Sequence, residues 1–173
     1  MSSSFFMDQA RIGKLYHACS AGAVTLSTVS TTCTGLALSN PVGSGYNLIV
    51  ESVSFVPSTA PGGASVVGIA ISPGVQATDP THTTPMVIHN GLMTGSNLNV
   101  GVGKCDAAAT LVGTPVWLRP MAGVVAASSI TPTKYEDMTN GSIILPPGTH
   151  LSLSYLTTAA VGIASITWAE VKI

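Results

Sequence analysis

Charge is what this sequence has least of. Lys, Arg, Asp and Glu make up 8% of its 173 residues, where a typical soluble domain has about 25%. No charged side chain falls between Lys14 and Glu51, between Glu51 and Asp79, or between Asp79 and Lys104. The net charge is −1 and Lys and Arg are nowhere clustered, so the patch that neutralises phosphates is missing and nucleic acid is excluded as a partner. Aromatic residues are only 5%. Trp117, Trp168, Tyr46, Tyr135 and Tyr155 are too scattered to define a sugar-stacking platform, and Trp168, alternating with small polar residues, reads as core.

Cysteine is scarce too. Cys19, Cys33 and Cys105 have neither CxxC spacing nor an even count, so they read as small buried hydrophobes in a reducing compartment, with a Cys19–Cys33 disulfide as the alternative. Hydrophobic runs are interrupted. Ala18 to Leu38 is uncharged, but eight Ser or Thr residues together with Gly22 and Gly35 make it a poor membrane span and a good pair of strands. Phe5-Phe6-Met7 is too short for the apolar core of a signal peptide, and Asp8 interrupts it.

Catalytic motifs are missing as well. Six basic and seven acidic side chains and four histidines are thinly spread, with no G-x-S-x-G, no HExxH and no calcium-loop pattern. His82 and His89 are seven apart, but a polar loop is expected between His82 and the strand carrying His89, so they read as loop and surface histidines rather than metal ligands. His150 opens a strand and is expected to face solvent or a subunit contact. Glu136-Asp137 reads as a solvated turn, and Asn140-Gly141-Ser142, formally a glycosylation sequon, as a turn closing a polar loop from Thr131. No catalytic, cofactor or metal residue is assigned, and the chain is expected not to be an enzyme.

What is abundant is Val, Ala, Gly, Ser and Thr in strand-like patterns. The clearest stretch is Ser142 to Ile173. Ser142 to Leu145 is a short strand, Pro146-Pro147-Gly148 forces a turn, Leu151, Leu153 and Tyr155 alternate with Ser152, Ser154 and Leu156, and Ala164 to Lys172 places Ile166 and Trp168 on one face. These read as a terminal hairpin completing a sandwich. Upstream, strands are expected within His17–Leu38 and at Tyr46–Val56, Val66–Ser72, Met86–Asn90, Leu98–Val102, Thr114–Leu118 and Gly123–Ala127. Asn90-Gly91 is a hairpin signal, Val75 to Pro85 a polar loop, and CDAAATL near Cys105 the one further place for a short helix. Short strands at this spacing imply an all-β fold, an antiparallel β-sandwich of jelly-roll type, over residues 17–173.

Residues 1–16 differ. Phe5, Phe6 and Met7 precede Asp8, Arg11 and Lys14, and Ile12, Leu15 and Tyr16 fit one side of a short helix. Two readings are open, an arm that docks on a partner through Phe5, Phe6, Met7 and Arg11, and a disordered leader. Two readings are open for the charge-poor surface as well: one covered by sister subunits, a trimer before a dimer, or a Ser/Thr-coated monomer.

From Tyr46 onward, the neutral Ala/Gly/Ser/Thr/Val texture and the ending ILPPGTHLSLSY…ASITWAEVKI resemble the jelly-roll head decoration or cement proteins of tailed bacteriophages, with similar endings in TNF-like and phage fibre-head jelly rolls. The resemblance rests on texture and one turn motif, and no residue's role carries over. It implies a non-enzymatic virion protein, made in the host cytoplasm, that binds the major capsid protein on the outer surface of an assembled head and stabilises it, with no nucleic acid and no membrane. A receptor- or carbohydrate-binding jelly roll of a tail or fibre is the alternative.

Overall fold

The computed structural model describes residues 3–60, 62–92, 101–126 and 134–173. A helix α1 (Ser3–Arg11) leads into β1 (Leu15–Cys19), the two-residue strands β2 (Val24–Thr25) and β3 (Ser27–Thr28), then β4 (Thr32–Asn40), β5 (Tyr46–Pro57), β6 (Ser65–Ile71), β7 (Thr81–Pro85), β8 (Ile88–Asn90), β9 (Lys104–Thr110), β10 (Val116–Val124), β11 (Tyr135–Leu145), β12 (Thr149–Tyr155) and β13 (Val161–Lys172). One sheet runs β11-β5-β13-β1-β8, with β2 on β13. The other runs β10-β6-β12-β4-β9-β7, with β3 on β12.

Eight strands nest as antiparallel pairs, the first with the last: β1 with β13, β4 with β12, β5 with β11, and β6 with β10. A ribbon folded in that nested order and rolled into two sheets is a jelly roll, so the protein is an antiparallel β-sandwich of that type. Between β6 and β10 the chain inserts β7, β8 and β9. Of these, β8 extends the first sheet past β1, while β9 and β7 extend the second past β4.

The terminal strands form by the expected alternation but do not make a hairpin. β12 and β13 lie in opposite sheets, and Leu151 and Leu153 meet Ile166 and Trp168 across the core. Gly148, at φ 79°, supplies the left-handed residue of the Pro-Pro-Gly turn, which carries the chain from one sheet to the other.

Several sequence expectations are corrected. CDAAATL is no helix but most of β9, where small alanines suit a tightly covered sheet face better than their helix propensity suits a helix. The expected loop Val75–Pro85 contains β7, an all-exposed edge strand with no apolar alternation to betray it. The expected loop Thr131–Asn140 holds the first half of β11. Asn140 and Gly141, both at positive φ, form an irregularity inside that strand between Met138 and Ile143, not a turn before it. Most of Leu98–Val102 and part of Gly123–Ala127 and Thr131–Asn140 lie outside the described residues. Leu15 and Tyr16 are not helical; they begin β1, and Tyr16 is fully buried, so the sandwich starts before residue 17.

The central strands of the second sheet, β6, β12 and β4, are largely buried on both faces. β9 ends where Thr110 pairs Thr32, and β10 begins where Val116 pairs Ile71, at the opposite end of the sheet and across three strands. The connection 111–115 must therefore run diagonally over the outward face. Leu111 packs there on Cys33, Ala37 and Ala109. The row beneath is built of small side chains, Ala37, Ser152 and Ala70, paired side by side and all buried. Larger residues would lift the crossing chain. The first sheet is capped differently. Helix α1 lays Phe6, 2% exposed, on Leu15, Ile49 and Ala169, a burial worth roughly 1.5–3 kcal/mol. Gly13, at φ 70°, ends the helix, and Lys14 donates back to the Gln9 carbonyl.

Candidate functional site

An apolar margin lies where the two sheets end together, at β10 and β11. A cleft of about 360 Å³ opens between them, lined by Ile71, Val75, Leu118, Ile143, Ile144 and Leu145. A second, of about 230 Å³, lies across Leu118, lined by Val66, Trp117, Arg119, Pro120 and Leu156. Val75, Trp117, Leu118, Ile144 and Leu156 are all exposed. The sequence makes this margin by placing Pro120 and two register shifts in β10, which spoil it as a template for further strand pairing. Arg119 bridges the two edges. Its guanidinium lies 2.6 Å from Asp137, an ion contact, and donates to Ser142 Oγ at 3.2 Å.

A buried polar cluster sits at the other side of the core. Tyr16 stacks on Trp168 with ring centroids 5.9 Å apart. Glu170, 2% exposed, accepts from the backbone N–H of Val102 at 3.0 Å and of Gly103 at 2.8 Å, and from Trp168 Nε1 at 3.4 Å. Burial, reinforced by the nearby Glu170 carboxylate, pushes the Tyr16 phenol up to about 12. The arrangement anchors the entry to β9.

The histidines fall into three places. His82 on β7 puts Nδ1 2.6 Å from Asp106 Oδ2 on β9. Asp106 is 1% exposed, its other carboxylate oxygen is buried without a hydrogen-bond partner, and burial holds its pKa above the usual carboxylate range against the pull of His82. The pair borders a cleft of about 340 Å³ with Pro85, Met86, Ile88 and Lys104. A carboxylate-held imidazole is half of a catalytic triad, yet among the described residues no serine, threonine or cysteine hydrogen-bonds to His82. What the pair does is clamp an exposed edge strand to its one neighbour. His89 is not near this pair. It lies on β8, in the other sheet, directly opposite His17 of β1.

His150 is the third place, and it is buried. Its backbone exchanges hydrogen bonds with Ser72, its Nε2 has no hydrogen-bond partner, and desolvation brings its pKa down to about 4. The unfolded chain, with an ordinary pKa near 6.5, therefore binds the proton more readily than the folded one. Stability is full above pH 6.5, falls as pH drops from 6.5 towards 4, and levels off below. The total loss corresponds to about 3 kcal/mol. Urea midpoints measured from pH 7.5 to 4 should show that slope, and His150→Leu should flatten it. Parallel curves for the two proteins would mean the imidazole is solvated.

The three cysteines are free, with Cys19 exposed and Cys33 and Cys105 buried, so the reading as buried hydrophobes holds for two of them. Burial raises the Cys33 thiol to about 11 and the Cys105 thiol further. Of the arm residues, Phe6 is used up in packing on the protein's own sheet, Phe5 meets it edge-on with centroids 5.0 Å apart, and Met7 and Arg11 remain exposed, Arg11 beside Asp8 at 3.4 Å. No local pattern marks the margin around Leu118, since its apolar residues come from five separate segments. Among the described residues no helix is long and apolar enough to cross a membrane. Comparison with protein-family models, with curated proteins and with solved structures finds no match.

Proposed function

We propose that this chain is a non-enzymatic structural protein of a phage head, a decoration or cement protein that binds the outside of the assembled capsid. The observation that carries this reading is the apolar margin of β10 and β11 on a chain with 8% charged residues. Exposed Leu, Ile, Val and Trp side chains gathered around two shallow clefts mark a surface that gains by being covered. At about 25 cal/mol per Å² of apolar area, a contact of ordinary size there offsets the cost of association. The major capsid protein and sister copies, as a trimer before a dimer, are the partners this role requires. The half-exposed Trp117 beside Arg119 favours a second reading, a glycan-binding jelly roll of a tail or fibre.

The test is Leu118→Glu. The side chain is 42% exposed, so the folded monomer should keep its stability to within about 1 kcal/mol. Sedimentation at micromolar concentration should show a multimer for the parent protein and a monomer for the variant. Co-sedimentation with undecorated heads of the parent phage should fall in the same way. Equal head binding by both proteins would remove the margin from the role. Binding to immobilised glycans that is lost with Trp117→Ala would favour the second reading.

A further inference from the structure

We propose that His17 and His89 form a two-histidine site for a borderline divalent metal ion of the Zn²⁺, Ni²⁺ and Cu²⁺ group. The two residues are direct partners in the antiparallel pair of β1 with β8, and both are exposed on the outer face of the first sheet. Directly opposed residues carry their Cβ atoms about 4.5–5.5 Å apart, a separation from which two imidazoles converge on one ion at about 2.0–2.1 Å.

The surroundings orient His17 for the task. Its Nδ1 lies 3.0 Å from Thr167 Oγ1 on β13, on the side away from β8. Its Nε2 lies on the β8 side, where a Cβ at position 91 would stand 3.1 Å away, a space left open because residue 91 is glycine. A ligating histidine fixed through its second nitrogen by a neighbouring hydrogen bond is the usual outer-shell device at metal sites. Among the described residues no third histidine, cysteine or carboxylate joins the pair, so water completes the shell and the ion exchanges readily. The consequence is structural: an ion held by both histidines ties the three-residue edge strand of the inserted segment to the jelly roll proper.

The full-length protein is titrated with ZnCl₂ by calorimetry at pH 7.5, beside His17→Gln, His89→Gln and the double variant. The expected result is one saturable equivalent in the micromolar range. Each single change should weaken it by at least roughly 10–100-fold, the loss seen even for outer-shell partners, and Thr167→Val should weaken it less. Zn²⁺ should raise the melting temperature of the parent protein alone. With Cu²⁺ as the probe, electron paramagnetic resonance of the parent protein should show hyperfine splitting from two imidazole nitrogens, a measurement that needs no variant to fold. No saturable binding, one nitrogen instead of two, or full binding by the double variant would each overturn the site.

Discussion

Trp168→Ala is expected to cost about 3–5 kcal/mol of folding stability, the range for deleting a fully buried large aromatic side chain. The indole is 0% exposed and lies in the main core with Leu151, Leu153 and Ile166. It stacks on Tyr16, and its Nε1 would stand 2.9 Å from a Cβ at Gly103, so the backbone of that segment is fitted against the ring edge. Neither neighbour can collapse into the gap. Tyr16 is held in β1 between β13 and β8, and the Val102–Gly103 segment is held by Glu170. Trp168→Phe keeps an aromatic ring for Tyr16 and should cost less, about 1–2 kcal/mol. Urea unfolding followed by circular dichroism measures both. A loss below ~1 kcal/mol for the alanine variant would mean that the ring is solvated.

The jelly roll was legible where one face of a strand is apolar. Leu48, Val50, Val53 and Phe55 of β5, and Leu151 and Leu153 of β12, all fall in the core, and period-2 alternation reveals such strands. It was hidden where the physics leaves no alternation. β7 is an edge strand whose five residues are all exposed, so its composition is that of a loop. In β9, Lys-Cys-Asp-Ala-Ala-Ala-Thr carries helix-favouring alanines because a crossing chain and a second sheet face leave room only for small side chains. The apolar row Ile143 and Leu145 of β11 showed, but its first half carries the exposed Glu136 and the half-buried Asp137 and reads as polar.

The candidate sites were harder still, because they depend on register rather than on local pattern. His89 was weighed against His82, seven residues away, while its actual neighbour is His17, brought beside it by strand pairing between distant segments. Asp106 meets His82 only because β7 folds back along β9. The one signal present and not used was Glu170. A carboxylate two residues from a core tryptophan has to be paired once buried, and the partners it found are two backbone N–H groups and the Trp168 indole N–H rather than a cation.

Those partners make Glu170 the second position where one change should have a large effect. Its carboxylate receives three donors, from Val102 N, Gly103 N and Trp168 Nε1, at 3.0, 2.8 and 3.4 Å. Hydrogen bonds to a charged group contribute about 1.5–3 kcal/mol each, and donors left buried without an acceptor add a desolvation cost. Glu170→Leu removes every acceptor and should cost about 3–5 kcal/mol, less than the sum because the segment can relax towards water. Glu170→Gln keeps one carbonyl oxygen but points an NH₂ group at backbone donors, and should cost about 2 kcal/mol. Geometry separates this from a simple packing loss. A Cβ at Gly101 would stand 2.5 Å from the Glu170 carboxylate, so the backbone wraps the charged group closely. Amide hydrogen exchange at Val102 and Gly103 should therefore quicken in both variants, while amides in the middle of β12 slow or quicken only with global stability. Unchanged exchange at those two amides, together with a stability loss below ~1 kcal/mol, would show that the carboxylate does not hold the segment. In that case the entry to β9 would be fixed by its strand pairing with β4 and β7.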